Sequence, residues 1–327
     1  MVVPLKIAVL SGGIGGARFL KGLRLIPNVE LAVIVNSGDD ITIYDLRVCP
    51  DIDSVIYNLA GIADLIRGWG RADETWATQE ELEKYLGVQP WFNIGDKDFA
   101  THIFRTQLLR RGMKLHEIVE AQCATWKVKE HIIPATNEEV ETHVQLDQPL
   151  ENRSSIHFQE WWVRFRASLP ANGFVLSGKD EAIPAPGVLE AIHNADLIIL
   201  PPSNPIVSIG MILEIPGIKE ALGAAKAPIV GISPIIGGNP VLGMADKCLT
   251  AMGMETSATS VSAFYGSRKQ GGLLDGWLIA DSDFEQCVQI ERSGIACKAI
   301  PLLMNNDLAS KMMAVAAINL AMATSPK

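Results

Sequence analysis

The residues of this chain that could do chemistry fall into short polar turns, and the first is Ser11-Gly12-Gly13-Ile14-Gly15-Gly16. Glycines at the start of a helix leave backbone N–H groups bare, so Gly12 and Gly13 could face a phosphate or diphosphate. The turn lacks the Lys-Ser/Thr of a P-loop and does not keep the dinucleotide-binding spacing, so a plain tight turn is the competing reading. A second cluster holds Asn36, Asp39 and Asp40, followed closely by Asp51 and Asp53. Four carboxylates on two neighbouring loops repel one another unless donors or a cation sit between them, and oxygen ligands beside a phosphate suit Mg²⁺. Helix capping by Asp53 is the alternative.

Three further segments carry polar groups. Asn93-Ile94-Gly95-Asp96-Lys97-Asp98 precedes His102 and Arg105, which are three apart and share a helical face. A cation here could hold a phosphate or the polar ring of an acceptor; a solvated, capped helix is the other possibility. His157 to Arg164 packs three aromatics, a His and an Arg into eight residues, suited to stacking on a flat heterocycle or to filling a core corner. The loops holding Ser203 and Asn204, and Ser233, each follow an apolar run and combine rigid prolines with small donors, a composition able to line a nucleotide pocket, with ordinary strand-end turns as the alternative. No Ser-His-Asp order, HExxH or Cys-His pairing stands out, which argues against covalent and zinc-hydrolase mechanisms.

These turns must be positioned by regular elements. Lys6–Leu10 is a short aliphatic run leading through the glycine turn into a helical pattern over 17–25, and Leu31–Val35 ends at the first acidic cluster. The first fifty residues therefore read as a βαβ unit with its polar groups at the carboxyl ends of the strands, the ligand-binding edge of an open parallel sheet. Residues 55–125 read as mainly helical, with amphipathic stretches at 80–86 and 100–111. From about 128 to 176 short strands are expected, including His131–Pro134 and Glu141–Leu146. The runs 195–202 and 227–233 suit a return to buried parallel strands. The expected fold is α/β: one domain over 1–327, a Rossmann-like parallel sheet flanked by helices from about 5–60 and 175–300, and a smaller inserted α+β subdomain at about 61–174.

Composition narrows the function classes. A chain of 327 residues that is 48% hydrophobic and 20% charged can bury a large core. Its formal net charge of −9 argues against a general nucleic-acid binder. The five cysteines are odd in number and show no metal-ligand spacing, so they read as reduced thiols. No apolar tract approaches the roughly 20 residues needed to cross a bilayer, and a cytoplasmic location is expected.

The stretches SGGIGGARFLKGL, VNSGDD, VCPDIDSVIYNLAG, NIGDKDFATHIFRTQLLRRG, HFQEWWVRFRA, PSNPIVSIG and SPIIGGNPVLGMA together resemble the 2-phospho-L-lactate transferase family of deazaflavin coenzyme biosynthesis, and more its actinobacterial-type branch than its archaeal one. The resemblance implies transfer of a phospho-acid from a guanosine diphospho-acid donor to the hydroxyl of the deazaflavin alcohol Fo, with release of GMP and dependence on Mg²⁺. It implies Asp39 and Asp53 as metal ligands and catalytic carboxylates, with Asn36, Asp40 and Asp51 as neighbours. Gly12 and Gly13 would support the diphosphate, and Ser203, Asn204 and Ser233 the nucleotide. Lys97, with Asp96 and His102, would meet Fo or the transferred phosphate. Many relatives carry Arg in this last turn where this chain reads GDKD, which keeps the charge and loses the bidentate fork. The acid could be lactate, enolpyruvate or glycerate, which a pocket separates by only about 1–3 kcal/mol per methylene; the branch tilts toward the enolpyruvyl donor. A nicotinamide- or flavin-dependent oxidoreductase and a non-catalytic deazaflavin-binding protein are the competing functions. A homodimer is the expected assembly.

Overall fold

A computed structural model of the chain describes residues 3–241 and 243–324. Seven parallel strands form its centre: β1 (Leu5–Ser11), β2 (Val29–Val35), β3 (His131–Pro134), β4 (Leu197–Leu200), β5 (Ile229–Ile232), β6 (Gly276–Ala280) and β7 (Ala296–Ile300). Their spatial order is β7-β6-β5-β4-β1-β2-β3. The chain first builds outward from β1 to β3, then returns to β1's other side and builds outward again. The reversal falls between β1 and β4, where Ile7 stands opposite Leu197 and Val9 opposite Ile199. A crevice opens at the carboxyl ends of two strands whose connections leave in opposite directions, and ligands bind there in open α/β sheets.

Alternation along the strands shows why both faces carry helices. Ile7 and Val9 of β1 and Leu197 and Ile199 of β4 belong to one buried cluster, while Ala8 and Leu10, Ile198 and Leu200 belong to another. Successive side chains point to opposite faces, so strands apolar at every position need cover on both sides. On the first face the helix Ile14–Leu23 packs on the helix Asp307–Thr324. Gly22 allows this approach, because a Cβ there would strike the backbone of Ser310 and Lys311.

The expected α/β class is borne out, and element bounds differ in detail. The strand His131–Pro134, expected among the inserted strands, is the edge of the main sheet and pairs with β2 from Ala32 to Val35. Residues 61–174 are therefore not one continuous insertion. The smaller antiparallel sheet is Glu141–Leu150 flanked by Arg153–His157 and Ala171–Ser177. Helices over Ala77–Leu86, Asp96–Arg110 and Leu115–Thr125 precede the edge strand. Two of these helices start before the amphipathic stretches at 80–86 and 100–111, at Ala77 and Asp96, where the first turn carries too few large apolar residues to show a period. Among the described residues, no helix is long and apolar enough to cross a membrane.

Candidate active site

The carboxyl ends of β1, β2 and β4 open into a cavity of about 900 Å³. Its floor is set by two helix starts. The helix Ile14–Leu23 begins at Gly13, and the helix Pro50–Ala60 begins with proline in its first turn, followed by Asp51 and Asp53. Proline is preorganised there and acidic side chains are favoured beside the positive end of the helix dipole. The N-cap is Cys49, so Asp53 lies inside the first turn and does not cap it. The glycine turn serves close approach: none of Gly12, Gly13, Gly15 and Gly16 has a positive φ. A Cβ on Gly13 would press on Asp51 and one on Gly15 on the backbone carbonyl of Pro202. The Gly12 N–H donates to Ser203 Oγ at 3.1 Å, locking the turn to the loop after β4.

Asn36, at the end of β2, organises the acidic cluster. Its fully buried amide donates to Asp39 Oδ1 at 3.1 Å, Asp51 Oδ2 at 2.9 Å and the carbonyl of Val207 at 3.3 Å. Gln159 Nε2 donates to the other Asp39 oxygen at 3.1 Å. Burial, and next the charge of Asp51, raise the Asp39 carboxyl well above the usual carboxylate range, against the amide hydrogen bonds. Burial pushes Asp51 up to about 6, resisted by the bonds from Asn36 and the Gly13 backbone. Asp40 is pushed up to about 7 by burial, partly offset by Arg47, whose Nη2 stands 3.9 Å away.

Asp53 is held differently. One oxygen pairs with the guanidinium of fully buried Arg105, which also donates to the carbonyl of Arg47 at 3.1 Å. His102 lies beside them, with Nδ1 3.7 Å from Asp53 Oδ2 and 3.3 Å from an Arg105 nitrogen. Because guanidinium is always a donor, Nδ1 is the acceptor and the ring proton sits on Nε2, 3.6 Å from Asp98. Burial raises the Asp98 carboxyl, but the His102 ring and the Tyr57 hydroxyl, 2.6 Å from Oδ1, outweigh it and leave the group below its ordinary value.

Asp39, Asp51, Asp53, Asp98 and His102 all line the cavity, as do Gly13, Ser203, Asn204 and Ser233. Asn36, Gly12 and Asp40 do not line it: Asn36 and Gly12 bond to the lining residues Asp39, Asp51 and Ser203, and Asp40 stands beside Arg47. Asp96 and Lys97 are not brought to the cavity. Asp96 accepts from Thr75 Oγ1 at 2.6 Å and from the backbone of Ala77 and Thr78, fixing the start of the helix Ala77–Leu86. Lys97 is exposed, with Nζ on the carbonyl of Ala72 at 3.0 Å. Asn204 and Ser233 spend most of their polar atoms locally, Asn204 on the N–H groups of Ile206 and Val207 and Ser233 on Ile235.

Two contributors were not assigned to the site from sequence. Gln159 lay in the aromatic segment, whose Phe158, Trp162 and Val163 reach the cavity while Trp161 fills the core. The loop Ile66–Gly70 forms a second wall, where the Arg67 guanidinium lies over Trp69 and Trp76, 5.2 and 5.0 Å from the ring centres. The signal was the Arg and Trp spacing of Arg67-Gly68-Trp69 with Trp76.

The acidic floor fits a hard cation. Asp53 Oδ2 is buried on the cavity wall with no hydrogen-bond partner, and the Asp39–Asp51 pair is joined only by neutral amides. No preformed cage of three or more His, Cys, Asp or Glu exists among the described residues, as where Mg²⁺ shares one or two carboxylates with substrate phosphates.

Residues 7–318 match the family described as 2-phospho-L-lactate transferase CofD. The chain belongs to that family. Its relatives include phosphoenolpyruvate transferases from Streptomyces coelicolor, 52% identical over 97% of this chain and 98% of the relative, and from Nocardia farcinica, 47% identical over 97% and 95%. A solved member of the UPF0052 family from Bacillus halodurans matches 97% of this chain and 100% of its own at a TM-score of 0.63 and 16% identity, a likeness of fold alone. This member of the 2-phospho-L-lactate transferase family is thus a transferase whose acidic floor sits at the switch point of its sheet.

Proposed function

We propose that this transferase moves enolpyruvyl phosphate from a guanosine diphospho-enolpyruvate donor to the terminal hydroxyl of Fo, in the biosynthesis of coenzyme F420. The observation that carries the reading is the 52% identity to a phosphoenolpyruvate transferase over 97% of the chain, with Asp39, Asp51 and Asp53 gathered beside the glycine turn in one cavity. The Fo hydroxyl oxygen forms a bond to the phosphorus bearing the enolpyruvyl group. The bond from that phosphorus to the oxygen of GMP breaks, GMP leaves with the electron pair, and the hydroxyl proton passes to a floor carboxylate.

Each part of the floor has a task. The free N–H groups at the start of the helix Ile14–Leu23 face the diphosphate. Asp39 and Asp53 would hold Mg²⁺, which supplies charge neutralisation for the diphosphate when bound. Asp51, raised toward neutrality and joined to Asp39 through Asn36, is placed to take the hydroxyl proton. His102 holds its own proton toward Asp98 and is not the acceptor. The wall of Trp69, Phe92 and Trp162 offers aromatic faces to the flat ring of Fo. In-line positioning together with charge neutralisation provides most of the acceleration in phosphoryl transfer.

The test is to incubate the purified protein with Fo, Mg²⁺ and, in turn, the enolpyruvyl, lactyl and glyceryl diphosphoguanosine donors, following product mass and GMP together. Metal-dependent product with the enolpyruvyl donor preferred is the expected result. Tight Fo binding with no product from any donor would show a binding protein in place of a transferase.

A further inference from the structure

We infer that Arg18 is the residue that grips the donor's diphosphate, a role that rests on the proposed donor class. The cavity wall carries four carboxylates, Asp39, Asp51, Asp53 and Asp98, and few cations to set against them. Arg67 is engaged by Asp64 at 3.0 Å and by two tryptophan faces. Arg105 stands behind the wall, fully buried on Asp53. Among the described residues, Arg18 is the arginine that lines the cavity with no acceptor for any of its five donors. An anionic substrate entering so acidic a cavity needs a fixed positive group as well as whatever cation the acidic floor holds.

Its position selects the anion. Arg18 follows Ile14 by four residues and Gly15 by three, and all three line the cavity, so they share one face of the helix Ile14–Leu23. Side chains on a helix lean toward its N-terminus, which brings the guanidinium over the first helical turn, where the N–H groups of Ile14, Gly15 and Gly16 have no intrahelical acceptor. Backbone donors and a planar fork then converge on one place, a combination suited to a diphosphate. Arg18 is half-buried and makes no hydrogen bond that the fold depends on, so its replacement is expected to leave the melting temperature unchanged.

Calorimetry with GDP and Mg²⁺, which presents the diphosphate without the acid, tests this on wild type, Arg18→Met and Arg18→Lys, alongside steady-state kinetics. The expected result is GDP affinity at least tenfold weaker in Arg18→Met, a matching rise in the donor KM, a KM for Fo within twofold of wild type, and an intermediate Arg18→Lys. GDP affinity within twofold of wild type in Arg18→Met overturns the inference. If in that case the donor KM alone rises, Arg18 meets the carboxylate of the acid and not the diphosphate. A wild type that neither binds GDP nor turns over any donor brings down the proposed donor itself, and this inference with it, a pattern distinct from a failure confined to the variants.

Discussion

The two halves of the acidic floor hold their charge by different means. Asp39 and Asp51 meet through the neutral amide of Asn36, with Gln159 on the other oxygen of Asp39, whereas Asp53 is tied to the guanidinium of Arg105. A neutral amide directs a carboxylate without cancelling its charge, so burial drives both members of the first pair toward protonation, and the charge of Asp51 adds to it at Asp39. A buried guanidinium cancels the charge and fixes the side chain, at a large cost if either partner is lost. The amide-bridged half can exchange a proton; the arginine-bound half is fixed in place and keeps one carboxylate oxygen without a hydrogen-bond partner.

Breaking the arginine-bound half should have the largest effect. Arg105→Met leaves Asp53 charged and unpaired in the interior and should lower stability by about 3–5 kcal/mol in urea unfolding. Adding Asp53→Asn should restore much of that stability without restoring turnover. If the single variant is as stable as wild type, the pair contributes nothing to the fold and the contrast fails.

Removing charge from the exchangeable half should act on chemistry. Asp39→Asn relieves repulsion with Asp51 and Asp40, so the melting temperature without metal should not fall, while kcat drops by about 10²–10³. Mg²⁺ should raise the melting temperature of wild type and not of this variant. A variant that melts lower and still responds to Mg²⁺ would move the metal away from Asp39.

The ring behind this half sets a pH window. His157, whose Nε2 lies 3.2 Å from the carbonyl of Asp40, is pushed down to about 4 mainly by burial. Between pH 6.5 and 4 the unfolded chain protonates this ring more readily, so its own contribution to stability falls as the pH drops through that window, by at most about 3 kcal/mol, and opposes the gain from the raised Asp40 and Asp51 carboxyls. The stability of His157→Gln relative to wild type should therefore rise as the pH falls through that window and be constant above it. The smallest effect is expected for Gln159→Leu, which removes one hydrogen bond from Asp39 and should cost about 1–2 kcal/mol in kcat/KM.

The strand, glycine turn and helix over residues 5–23 were legible in the sequence because each is specified locally: a β-branched run, residues without Cβ, then helical periodicity. The acidic cluster was equally plain, since Asp39, Asp40, Asp51 and Asp53 lie within fifteen residues. What joins them was not. Arg105 reaches Asp53 from 52 positions away and Gln159 reaches Asp39 from 120, separations at which residue type alone says nothing about contact. The edge strand His131–Pro134 looked like its neighbours in the inserted region because so short a run, built on Ile132 and Ile133, suits either sheet. Lys97 and Asp96 looked functional for the reason that they are useful structurally: polar groups beside a helix start satisfy backbone donors as readily as ligands.

The seating of Gly22 against Ser310 and Lys311 bears on how the cavity comes into being. The helix that presents the glycine turn has its outer face covered by residues nearly three hundred positions away, so the turn cannot be held rigidly by local contacts alone. Loop closure over such a span is slow. Binding competence should therefore appear late in refolding, after most helical signal has returned, and protease cuts within 307–324 should abolish it while leaving much of the sheet intact.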